Sequence, residues 1–123
     1  MELSQEEFER HMMDLLLQGD HPTLSILRQQ YAAASVVQRE FSGVGFFTDF
    51  SIPDDLPRVE PPNFAGGDVA YQLDGLDHEG GCVLFIRDGR LNMLEGYNFG
   101  EPWPDRLRIT GILYSLLVIS TES

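Results

Sequence analysis

The sequence predicts an α+β fold: two N-terminal helices packed on a mainly antiparallel sheet of about five or six strands. Three observations carry this. Apolar residues recur at helical spacing through the first third of the chain, they alternate with period two afterwards, and an Asp-Gly pair at 88–89 separates two strand-like runs. At 123 residues, 42% of them apolar and 11% aromatic, the chain forms a single domain over 1–123 with enough apolar surface for one core.

The first helix, about 5–18, starts on a capping box in which Ser4 is the N-cap and Glu7 stands three residues on, with Leu3 placed to staple against Phe8. Phe8, Met12, Leu15 and Leu16 form its buried stripe, Glu6, Glu9, Arg10 and Asp14 take the other faces, and His11 sits at the surface or boundary. Gly19 ends it. The second helix, about 22–35, is capped by Asp20 or His21, has Pro22 in its first turn, and buries Leu24, Leu27, Tyr31 and Ala34.

Near Ser35-Val36-Val37 the period changes, so the sheet is expected over about 36–120. Gly43-Val44-Gly45 reads as a bulge or tight turn before an aromatic strand ending at Pro53. The stretch from Pro53 to Gly67, rich in proline, reads as a long irregular connection, and 68–74 as a half-buried strand. Cys82 to Arg87 and Arg90 to Glu95 flank Asp88-Gly89, the pair that favours a type I′ hairpin turn, and the apolar character of both faces of the first run places this hairpin centrally. Gly96 to Pro104 reads as an aromatic loop, and 106–120 as a strand interrupted at Gly111, although its length and leucines also fit a helix.

Charge narrows the function classes. Twenty Asp and Glu stand against eight basic residues, all arginine, for a net charge of −12. Such an excess repels nucleic acid and anionic membrane, and leaves a basic protein as the expected charged partner. The acidic N-terminus lacks the features of a signal peptide, which points to a cytoplasmic protein. One cysteine leaves no internal disulfide and no cysteine-based zinc site, and no cofactor motif is present.

Asp74, Asp77, His78 and Glu79 could ligate a divalent cation or serve a hydrolytic site, but their spacing matches no EF-hand, and a turn recruits the same residues for backbone reasons. His78 and Cys82 could form a thiol–imidazole pair, yet Cys82 opens an apolar strand and reads as a core thiol, so catalytic and metal-binding residues are expected to be absent. Partner contacts are expected instead from Asp54 and Asp55 in the proline loop, from Asp74, Asp77 and Glu79, and from Glu95, Tyr97, Glu101 and Trp103 in and around the aromatic loop. A structural subunit that completes another chain's sheet is a further possibility for the apolar tail.

Two segments carry a resemblance: Glu40-Phe41-Ser42-Gly43-Val44-Gly45-Phe46-Phe47-Thr48-Asp49-Phe50, and Leu84-Phe85-Ile86-Arg87-Asp88-Gly89 continuing through Met93-Leu94-Glu95-Gly96-Tyr97 to Glu101-Pro102-Trp103-Pro104. Over roughly Val36 to Pro104 the chain resembles a group of small bacterial α+β proteins, some of them immunity proteins beside polymorphic or contact-dependent toxins. The resemblance implies a stoichiometric inhibitor that binds a basic toxin and needs no catalytic residue.

Overall fold

The computed structural model describes residues 2–115. Helices α1 (Gln5–Leu16) and α2 (Pro22–Ala32) precede strands β1 (Ser35–Phe41), β2 (Gly45–Ser51), β3 (Phe64–Leu73), β4 (Gly80–Arg87), β5 (Arg90–Asn98) and β6 (Ile109–Ser115). The strands form one antiparallel sheet in the order β1-β2-β5-β4-β3-β6, so the fold is α+β. Among the described residues no helix is long and apolar enough to cross a membrane.

The capping box forms as the sequence dictates: Glu7 N–H donates to Ser4 Oγ at 3.1 Å and Ser4 N–H to Glu7 Oε1 at 2.8 Å. Helix α1 stops at Leu16, about half a turn short of the expected end, because Gly19 (φ +135°) turns the chain and the Arg28 guanidinium takes over the exposed carbonyls. Arg28 Nη1 donates to Leu17 O at 2.6 Å and to Gly19 O at 3.0 Å. His21 is the N-cap of α2, its Nδ1 accepting from Thr23 N–H at 3.1 Å. Helix α2 ends at Ala32, short of 35, as the β-branched Val36 and Val37 enter a strand.

Phe8, Met12, Met13 and Leu16 from α1 and Leu24 and Leu27 from α2 bury against Phe46, Tyr71, Leu84, Ile86 and Leu94 on one face of the sheet. Each such side chain stabilises the fold by roughly 1.5–3 kcal/mol. Polar residues enter this layer as well, Glu9 against expectation. Glu9, expected on a solvated face, is buried. Gln30, fully buried, donates from Nε2 to Pro57 O and Gly89 O and accepts from Leu91 N–H at 2.9 Å, which fastens the proline loop and the hairpin to α2.

The hairpin turn is of type I′, since Asp88 and Gly89 both have positive φ, 54° and 74°. β4 and β5 are the central pair of the sheet, as expected. Strand β3 begins at Phe64, earlier than the expected 68, because a register shift between Gly66 and Val69 absorbs the glycines within the strand. Strand β5 extends to Asn98 and takes in Tyr97. The tail is strand through Ser115, with Gly111 inside it opposite Gln72; its expected continuation over 116–120 lies outside the described residues.

Candidate protein-binding face

Both helices lie on one face of the sheet, so among the described residues the other face has no covering layer. Directly opposed residues of an antiparallel pair share a face, which lets the register write out the open side. One row reads Glu40, Phe47, Glu95, Val83. A second reads Gln38, Asp49, Met93, Phe85, Ala65. A third reads Gly45, Tyr97, Gly81, Ala70, Leu113.

Phe47, Val83, Phe85, Met93 and Tyr97 are each half-buried, Leu113 is 62% exposed, and Phe99, 63% exposed, stands edge-on to Tyr97 at 5.3 Å between ring centroids. The described charged residues of these rows are Glu40, Asp49 and Glu95, all acidic; the first arginine on this side is Arg87, at the hairpin end. Six strands of seven to ten residues give a face of roughly 600 Å², near the roughly 800 Å² each partner contributes to a standard interface.

The nine expected contact residues do not form one patch. Asp54 and Asp55 are exposed at the hairpin end, where Arg90 Nη2 donates to Asp54 Oδ1 at 2.9 Å. Asp74, Asp77 and Glu79 are exposed at the opposite end, about 24 Å away along β4. Glu95 and Tyr97 lie between them on the open face, with Tyr97 laid across Gly81. Phe47, Asp49, Phe85 and Met93 were not expected there. The apolar pattern of both faces of β4 signalled Phe85 alone, and that pattern reads equally well as burial on both sides.

Glu101 has a different task from the one expected. Its carboxylate accepts from the backbone N–H of Asp77 at 2.9 Å and of His78 at 2.8 Å, with His78 Nδ1 at 3.3 Å, and so ties down the acidic loop. The Asp77 N–H, aided by His78 and opposed by partial burial, holds the Glu101 carboxyl below the usual carboxylate range. A carboxyl depressed by folding stabilises the loop above its ordinary pKa, and the effect is lost as pH falls through the depressed value. Glu101→Gln, or acidification of the parent, should therefore lower the protection factors of the Asp77 and His78 amides several-fold, measured by NMR against the intrinsic exchange rate at each pH, while those of the β4 amides are unchanged.

Trp103 is not an exposed anchor. Its ring packs edge-on to Phe46 at 5.0 Å, Phe8 at 5.4 Å and Tyr71 at 6.2 Å, and its Nε1–H donates to Gln5 Oε1 at 3.0 Å. Cys82 is a buried core thiol as expected, and burial pushes its pKa far up, away from the thiolate. Among the described residues no three His, Cys, Asp or Glu side chains come together to hold a metal ion.

Comparison with protein-family models, with curated proteins and with solved structures finds no match.

Proposed function

We propose that the chain is an acidic protein-binding module that neutralises a basic protein by stoichiometric binding, as an immunity protein does its toxin, with the open sheet face as the docking surface. The observation that carries this reading is the face itself: Phe47, Val83, Phe85 and Met93 interleaved with Glu40, Asp49 and Glu95, on a chain of net charge −12. Desolvated apolar residues supply affinity, and the carboxylates steer encounter and pair with the cationic groups a toxin uses on its own substrate. The mechanism is occlusion, so the chain needs no catalytic group. The same reading places it in the cytoplasm, where such a toxin acts.

The test is the association rate with a basic protein recovered on the immobilised chain, measured by surface plasmon resonance from about 0.05 M to about 0.5 M salt. The on-rate should fall on the order of tenfold or more across that range, since electrostatic steering is screened before packed contacts are. Asp49→Lys with Glu95→Lys should slow association more than Asp54→Lys with Asp55→Lys, because Arg90 already neutralises Asp54 at the hairpin end. A rate indifferent to salt and to both pairs of reversals would overturn the reading.

A further inference from the structure

Strand β1 is a terminal strand of the sheet, and among the described residues nothing pairs with its outer edge. The Ser42 N–H donates to Gly45 O at 3.0 Å, so Ser42, Glu40 and Gln38 direct their backbone groups at β2, and by alternation Arg39 and Phe41 direct theirs outward. Native edges are usually blunted by lysine, proline, a bulge or an inward charge; Ser35–Phe41 contains neither lysine nor proline, and its one bulge, at Val37, leaves Gln38 to Phe41 in regular register with β2. Its one arginine, Arg39, turns to the helix side and is neutralised by Glu9.

The strand is also unusually apolar for an edge. Val36, Val37 and Phe41 are 48%, 66% and 54% exposed, three of the six large apolar side chains exposed among the described residues. On its helix side, β1 borders an open groove of about 890 Å³ between α1 and α2, lined by Val36, Arg39, Tyr31 and Phe50 among others. A strand added about 4.8 Å beyond β1 finds room there for its helix-side residues, while its other residues continue the open face beyond Gln38 and Glu40.

We infer that the outer edge of β1 accepts a β-strand from a cationic protein partner, extending the six-stranded sheet by one. This rests on the reading of a basic protein partner and specifies how that partner engages. Charge selects the occupant: a second copy of the chain would bring −12 against −12, whereas a lysine- or arginine-bearing strand meets exposed Glu40 on the open side. On the groove side Glu6, Glu9 and Asp14 stand against Arg10, Arg28 and Arg39, so the cationic residues of the added strand belong on the open side and its apolar ones in the groove.

The test titrates a blocked synthetic octapeptide of alternating lysine and valine into the ¹⁵N-labelled full chain at low salt. The Arg39 and Phe41 amides should shift, and their hydrogen exchange should slow on the order of tenfold. Phe41→Pro removes an outward N–H without taking a bond from β2, and should weaken binding on the order of tenfold, whereas Phe41→Thr, which keeps the N–H, should bind within about threefold of the parent. Should Phe41→Pro fail to fold by circular dichroism, the peptide methylated at alternate backbone nitrogens replaces it and must bind correspondingly weaker.

Shifts confined to Phe47, Met93 and Glu95 would overturn strand addition while leaving a basic partner for the open face. No shift anywhere would count against both. Protection of Arg39 and Phe41 in the peptide-free chain, together with dimer sedimentation, would assign the edge to a second copy.

Discussion

Replacing Glu9 by alanine is expected to destabilise the fold by about 3 kcal/mol, the low end of what breaking a buried ion pair costs. The Glu9 carboxylate accepts from Gln5 Nε2 at 2.8 Å, from Thr48 Oγ1 at 2.8 Å, and from Arg39 Nε and Nη2 at 2.7 and 2.8 Å. Removing it strands the fully buried Thr48 hydroxyl and a guanidinium held in place by a two-point fork. The Arg39 side chain is 22% exposed and borders the groove, so water recovers part of the loss, which is why the low end applies.

Urea denaturation of Glu9→Ala, Arg39→Met and the double variant measures the coupling directly. The double variant should lose less than the sum of the singles, because the penalty in each single is the abandoned partner. A loss well under 1 kcal/mol in Glu9→Ala would show that water in the groove replaces the carboxylate and that α1 is not pinned to β1 by this network.

Glu9 also marks where the sequence stops being readable. Local signals were legible: the Ser4–Glu7 box, Pro22 in the first turn of α2 and Asp88-Gly89 between two apolar runs each depend on neighbours a few residues away. Glu9 flanks an apolar stripe like any solvated glutamate, and its burial is created by Arg39 and Thr48, thirty and thirty-nine residues on. Gln30 is a comparable case, since the carbonyls it bonds belong to Pro57 and Gly89. The glycines at 66–67 read as loop because a bulge inside a strand looks the same as a break until its partner strand is known.

The candidate site was half legible for the same reason. Composition identified the acidity from which a basic partner is proposed, but the open face is a product of register: Phe47, Glu95 and Val83 become neighbours only when β2, β5 and β4 are paired. The one-sided placement of the helices then decides which apolar side is left uncovered. Acidic loops, by contrast, stand out in a sequence wherever they fall, and so Asp54 and Asp77 were grouped although they sit at opposite ends of the sheet.

Trp103→Ala should cost about 3 kcal/mol of folding stability and leave partner dissociation unchanged. The indole closes an aromatic cluster over Phe8, Phe46 and Tyr71, all three buried, and its removal opens a cavity between α1 and the sheet. Its backbone N–H donates to Gly43 O at 2.8 Å, so the same residue docks the β5–β6 connection on the β1–β2 turn. Half-burial of the ring keeps the expected cost at the lower end of the range for tryptophan truncation. Trp103→Phe, which retains a ring but loses the donor to Gln5 Oε1, should cost about 1 kcal/mol.

Phe99→Ala is the matched contrast. Phe99 touches Tyr97 edge-on and is otherwise open to solvent, so its loss should move stability by less than about 0.5 kcal/mol while speeding dissociation of a partner bound on the open face. Denaturation followed by circular dichroism, with off-rates by surface plasmon resonance, separates the two roles. If Trp103→Ala were as stable as the parent and released its partner faster, the indole would belong to the binding surface and the aromatic cluster would hold without it.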